Sequence, residues 1–171
     1  AAKAAGADAI KLQTYRADTI TLNSTKADFL LPNDSPWKAS KSLYSLYEKA
    51  CMPWEWHETL YQEAQSIGLE VFSSPFDASA VDLLAQLDSV AYKIASPEIT
   101  DLPLIAKIAK LNKPIILSTG LAEKEDIAIA VETLKANGNE AFAFLKCTTA
   151  YPAPLDQANL KLIPKIKHDF G

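Results

Sequence analysis

Five short apolar runs recur along the chain: AIKLQT (9–14), EVFSS (70–74), VAYKIAS (90–96), PIILST (114–119) and AFAFLKCT (141–148). Each has strand length, and their near-continuous apolarity predicts strands buried on both faces, as in parallel sheets. Between them, residues 53–68, 77–87, 101–112 and 124–138 carry apolar side chains at helical spacing. Asp77 and Asp101 stand at N-cap positions, where a short carboxylate accepts from the free N–H groups of a first turn. Gly68 and Gly138 stand where helices stop, since glycine enters the left-handed region without strain. This alternation predicts an α/β fold with a parallel sheet and right-handed crossovers.

The spacing selects an architecture. Ser74, Ser96 and Ser118 follow one another at a constant 22 residues, each at the C-terminal end of an expected strand. Polar groups repeated at that end predict a (β/α)8 TIM barrel, whose active site is built from the strand C-termini. An open doubly wound sheet would offer a glycine-rich phosphate loop after its first strand, and the five glycines here are scattered. With five strands legible, residues 1–171 read as one partial, incomplete barrel domain. AAKAAG reads as the last turns of a helix closing at Gly6, and HDFG as a second helix end. The chain is therefore expected to be an internal piece of a longer protein.

One connection breaks the rhythm. About 35 residues between Tyr15 and Cys51 are rich in Thr, Asp, Asn and Pro, with SLYSLYEKA (42–50) as a short helix. Following a barrel strand, this segment should lie over the pocket.

Composition narrows the function classes. The 171 residues are 49% hydrophobic and 22% charged, with 17 Lys+Arg against 21 Asp+Glu. A net charge of −4 and a pI near 5.2 argue against a nucleic-acid footprint, which would be basic and clustered. No apolar run approaches the roughly 20 residues needed to cross a bilayer, and the first residues lack a secretory pattern. Cys51 and Cys147 are too few for a disulfide framework. The cytoplasm is the expected compartment.

The strand ends hold the candidate chemistry: Lys11, Gln13 and Thr14; Ser73 and Ser74; Lys93, Ser96 and Glu98; Ser118 and Thr119; Lys146, Thr148, Thr149 and Tyr151. Three strands place a lysine in an otherwise apolar run, which is costly unless the lysine serves an anion. Ammonium groups interleaved with hydroxyls make a cradle for a phosphate or carboxylate. Any single lysine is equally well explained by snorkelling at a strand end, with hydroxyls capping the next helix. A class I aldolase would instead use Lys93 or Lys146 as a Schiff-base nucleophile. His57 and His168 are read as solvated helix faces, and Cys147 as packing. Trp37, Trp54 and Trp56 can stack on a sugar, with at least one of the helical pair expected in the core.

KLQTY (11–15), FSSPFD (72–77), YKIAS (92–96), ITDLPLI (99–105), KPIILSTG (113–120) and LKCTTAYPAP (145–154) together resemble the sialic acid synthase family, in the same order. SLYSLYEKACMPWEWH (42–57) and FSSPFD are most similar to its pseudaminic acid branch. The resemblance implies condensation of phosphoenolpyruvate with an open-chain amino sugar, for this branch 2,4-diacetamido-2,4,6-trideoxy-L-altrose, giving a nine-carbon α-keto acid and phosphate. It implies a divalent metal, Mn²⁺ or Mg²⁺, with ligands outside this stretch. It also implies a C-terminal antifreeze-like domain, a missing first strand and missing last strands, and a homodimer at full length. By motif, Lys11, Ser74, Lys93, Ser96 and Ser118 would hold phosphoenolpyruvate. Gln13 would orient the reacting groups, Glu98 would serve proton transfer or sugar contact, and Thr149 and Tyr151 would line the sugar side. Position 149 is Ser or Asn in relatives; Thr keeps a hydroxyl and adds a methyl. Alternative readings are an N-acetylneuraminate or legionaminate synthase and the Schiff-base aldolase. The stretch alone is expected to be inactive.

Overall fold

The computed structural model describes residues 1–150 and 152–171. Its centre is one five-stranded parallel sheet: β1 (Ala9–Thr14), β2 (Glu70–Pro75), β3 (Tyr92–Ile94), β4 (Ile115–Ser118) and β5 (Phe142–Leu145). The strands lie side by side in sequence order, without reversal. That order decides between the two architectures, because a doubly wound sheet reverses direction at a switch point and a barrel does not. The fold is α/β, and its five strands are consecutive strands of a (β/α)8 barrel.

After β1, α1 (Ala17–Ile20) is a single unpredicted turn, and α2 (Leu43–Ala50) is the short helix expected in the long connection. Helices α3 (Trp56–Ser66), α4 (Ala78–Gln86), α5 (Leu102–Ala109) and α6 (Lys124–Ala136) fall where the apolar spacing predicts, and α7 (Leu162–Phe170) ends at HDFG as expected. Asp77 Oδ1 accepts from the Ser79 and Ala80 N–H groups at 2.7 and 3.0 Å, and Asp101 Oδ1 from Leu104 N–H at 3.1 Å. Gly68 and Gly138 adopt φ of +67° and +82° where α3 and α6 end. No described helix is long and apolar enough to cross a membrane.

Alternation splits the sheet into two faces. Val71, Tyr92, Ile94, Ile115 and Leu117 turn outward onto Leu84, Ile105, Ile108, Ala130 and Leu134 of the helices, and this layer is the core. The inner face is open: Ala9, Lys11 and Gln13 on β1 and Ala143 and Leu145 on β5 are exposed.

Two strands are shorter than the apolar runs. Around β3, Ser89 Oγ turns back onto the Ala91 carbonyl at 2.9 Å, and Ser96 adopts helical φ/ψ to open a 3-10 turn at Pro97–Thr100. Beyond Leu145, Lys146 Nζ and Thr148 Oγ1 both donate to the Gln157 carbonyl, at 3.4 and 3.2 Å, which draws the chain out of the sheet.

The long connection is fastened at the strand C-termini. Tyr15 stands edge-on to Phe76 and Tyr47, with ring centroids 5.5 and 6.0 Å apart. Trp54 Nε1 donates to the Tyr15 carbonyl at 3.2 Å, and the Arg16 guanidinium lies 3.8 Å over the Trp54 ring. These contacts correct the expectation of a core tryptophan: Trp54 is half-buried at the strand ends, and Trp56 is 57% exposed.

Candidate active site

Register and parity place the predicted residues. Gln13 pairs with Ser74, and Ser73 pairs with Tyr92, so Gln13, Ser74 and Lys93 point to the same face. Lys93 pairs with Ile116, two residues before Ser118, and Lys11 lies two residues before Gln13. All five side chains therefore share the inner face, at or near the C-terminal ends of four adjacent strands.

Lys93 is the centre of the cluster. It is 92% buried by its 8% exposure, and its Nζ donates to Ser118 Oγ at 2.5 Å and to the Ile94 carbonyl at 2.7 Å. Cys147 Sγ lies 3.3 Å from the same Ser118 oxygen. Burial lowers the Lys93 pKa from the ordinary lysine value; the Cys147 thiol opposes that shift, the Lys11 ammonium adds to it, and Glu98 opposes it. Partial burial also lowers the pKa of Lys11. Two ammonium groups close enough to disfavour one another, with hydroxyls between them, form a site that an anion would relieve.

The turn after β4 closes the cluster. Gly120 N–H donates to Ser96 Oγ at 3.1 Å. A Cβ on Gly120 would overlap Thr149 Oγ1 and come within 3.0 Å of Ser96 Oγ and 3.1 Å of Cys147 Cβ. Glycine is therefore required here by close approach, and it brings the ends of β3, β4 and β5 together. Gly120 and Cys147 join the predicted set; the only sequence sign of Gly120 is its place directly after Ser118 and Thr119.

Glu98 sits in the 3-10 turn after β3, within electrostatic reach of Lys93. Its Oε2 is buried without a hydrogen-bond partner among the described residues. Burial raises the Glu98 pKa, the Asp101 charge adds to the rise, and Lys93 opposes it. The folded state thus holds the Glu98 proton more tightly than the unfolded chain. The stability this contributes is present below the ordinary glutamate value and is lost as pH rises through the raised one. Glu98→Gln should flatten that loss. Thermal denaturation should show the Tm of the variant rising relative to that of the native protein as pH goes from 4 to 8, and a relative Tm that falls would contradict the raised Glu98 pKa.

Two expectations need correction. Lys146, expected beside Lys11 and Lys93, follows Leu145, an inner-face residue, and leaves on the other side. There its Nζ bonds Thr148 Oγ1 at 2.8 Å and the residue lines a cavity of about 380 Å³ with Lys124, Lys165 and Asp169. Lys146 is outside the inner-face cluster. His57, expected on a solvated helix face, is fully buried and bonded to Thr14 on β1. His168 is on the surface of α7, as expected. Thr149 is exposed beside Gly120, and Tyr151 lies outside the described residues. No group of three or more His, Cys, Asp or Glu gathers among the described residues.

A parallel barrel sheet with lysines and hydroxyls gathered at its strand C-termini defines a (β/α)8 fold of the enzyme type. The chain belongs to the NeuB family, whose model matches residues 1–171. It is 46% identical over 171 residues to a pseudaminic acid synthase of Campylobacter jejuni subsp. jejuni serotype O:23/36, covering all of this chain and 49% of that protein. It is 38% identical over 168 residues to an N,N'-diacetyllegionaminic acid synthase of Campylobacter jejuni, covering 96% of this chain and 49% of the relative. The crystal structure of an N-acetylneuraminic acid synthetase from Leptospira borgpetersenii, in complex with citrate, superposes with a TM-score of 0.81 at 26% identity, over 99% of this chain and 53% of that one. The chain spans about half the length of the curated relatives it matches.

Proposed function

We propose that the full-length protein carrying this chain is a pseudaminic acid synthase, condensing phosphoenolpyruvate with 2,4-diacetamido-2,4,6-trideoxy-L-altrose. The observation that carries this reading is the buried Lys93–Ser118 pair on the inner face, flanked by Lys11, Ser74 and Ser96. Phosphoenolpyruvate bears about three negative charges near neutrality, and ammonium groups in a low-dielectric pocket neutralise them strongly. Higher identity to the pseudaminic relative than to the legionaminic one supports the choice of sugar.

In this reading Lys11, Ser74, Lys93, Ser96 and Ser118 hold the phosphate and carboxylate. Gln13, beside Ser74, orients the enol carbon toward the sugar aldehyde. C3 of phosphoenolpyruvate forms a bond to the aldehyde carbon, and the aldehyde oxygen takes up a proton. Water adds at C2, the C2–O bond to phosphate breaks, and the ketone forms, so substrates and one water balance product and inorganic phosphate. Glu98, whose raised pKa favours the protonated form, would deliver the proton that the aldehyde oxygen takes up. Thr149 would meet the sugar, and the same role is proposed for Tyr151 from its motif alone. A divalent metal, Mn²⁺ or Mg²⁺, would supply electrophilic stabilisation from ligands beyond these residues. At full length the protein is proposed to be a homodimer acting on small molecules in the cytoplasm.

The Schiff-base aldolase is a second reading, favoured by the lowered Lys93 pKa. The two separate in one experiment. Full-length protein given phosphoenolpyruvate, the amino sugar and Mn²⁺ should release one phosphate per nine-carbon keto acid, and borohydride with pyruvate should label no lysine. A labelled lysine without phosphate release would replace the first reading by the second. Residues 1–171 alone should give no turnover, because β1 and β5 each leave a sheet edge to be covered.

A further inference from the structure

Behind the sheet, on the face turned away from the site, three buried polar side chains form a hydrogen-bonded chain. His57 has no exposed surface, and Thr14 and Ser73 have none either. His57 Nδ1 lies 3.1 Å from the Trp54 carbonyl, and Nε2 lies 2.8 Å from Thr14 Oγ1. Thr14 Oγ1 lies 2.7 Å from Ser73 Oγ. A carbonyl only accepts, so Nδ1 carries the ring proton and Nε2 of the neutral ring accepts. Thr14 spends its one proton on His57 and accepts from Ser73. The hydrogen bonds therefore run one way, from Ser73 through Thr14 and His57 to Trp54. Burial lowers the His57 pKa, which keeps the ring neutral.

The place of this chain matters more than its polarity. Thr14 and Ser73 each adjoin a residue of the site, Gln13 and Ser74, which face each other across β1 and β2. Successive strand side chains leave on opposite faces, so fixing one on the outer face fixes the rotation of the backbone that aims its neighbour inward. The last backbone bond here, from Phe76 N–H to the Thr14 carbonyl, is long at 3.3 Å. Apolar side chains would fill the same volume without a directional preference, whereas a fully satisfied buried network admits one arrangement.

We propose that His57 is a positioning residue: through Thr14 and Ser73 it locks the ends of β1 and β2 so that Gln13 and Ser74 meet phosphoenolpyruvate as a pair. The identity of the ligand rests on the function proposed above; the locking of the strand ends does not.

The test uses the full-length protein. Thr14→Val keeps the shape and removes the hydroxyl, and it should weaken phosphoenolpyruvate binding by at least ten-fold in calorimetric titration. Thr14→Ser should restore the affinity to within about three-fold. Ser73→Ala removes only the first link and should shift affinity the same way by less, which covers the case of Thr14→Val failing to fold. Tyr61→Phe is the stability control: it deletes a buried hydroxyl 3.2 Å from Ser89 Oγ, away from the strand C-termini, and should lower Tm without changing affinity. Unchanged affinity in Thr14→Val, or an equal loss in Tyr61→Phe, would overturn the positioning role. Amide exchange at Phe76 decides the locking by itself. It should accelerate in Thr14→Val and recover in Thr14→Ser, even if the native protein binds no phosphoenolpyruvate and the functional reading falls; unaltered exchange would overturn the proposal.

Discussion

Lys93→Met in the full-length protein should weaken phosphoenolpyruvate binding by roughly 2–5 kcal/mol, about thirty-fold to several thousand-fold, because a buried charge is removed from its counter-ion. Lys93 is the least exposed ammonium of the cluster, and its two hydrogen bonds aim it at the inner face beside Ser118. The unliganded protein should lose little stability, since burial already disfavours the Lys93 ammonium in the folded state. Methionine fills the space of the aliphatic stem and needs no hydrogen-bond partner. The expected pattern is thus a large loss of affinity with a nearly unchanged Tm. Calorimetric titration giving native affinity would remove Lys93 from the anion site, and unfolding of the variant would make it a structural residue instead.

Gly120→Ala should be nearly as damaging, for a steric reason. Gly120 has no left-handed backbone, so alanine is conformationally admissible. Its Cβ would overlap Thr149 Oγ1 and crowd Ser96 Oγ and Cys147 Cβ. Overpacking of this kind costs about 1–3 kcal/mol. The displaced groups belong to the site, so the loss should fall on phosphoenolpyruvate affinity as well as on stability, by about ten-fold or more. Thr149 is exposed in the segment after β5, and removing its side chain relieves the worst overlap. Gly120→Ala with Thr149→Ala should therefore recover part of the loss, a positive coupling that independent sites would not show. Additive losses would contradict the contact.

Most of the fold was legible because it is written in local pattern. The five apolar runs fell on the five strands, and the two aspartate caps make the hydrogen bonds their positions predict. The site was legible where parity held: Lys11, Gln13, Ser74, Lys93 and Ser118 alternate onto one face. Lys146 failed because sequence gives nearness to a strand end but not the face, and a one-residue step reverses the side. His57 failed differently. It lies among polar helix residues, and its partner Thr14 is 43 positions away, so nothing local distinguishes a buried histidine from a solvated one. Gly120 was unreadable for the same reason, since its necessity arises only when Ser96, Cys147 and Thr149 converge on it.

The central claim is that the inner-face cluster, rather than the lysine-lined cavity between α6 and α7, receives phosphoenolpyruvate. A crystal structure of the full-length protein soaked with phosphoenolpyruvate tests it most directly. The account predicts the ligand within hydrogen-bond distance of Lys93 Nζ and Ser118 Oγ, with Gln13 and Ser74 on its other side. Phosphoenolpyruvate bound instead among Lys124, Lys146 and Lys165, with the inner face empty, would contradict it.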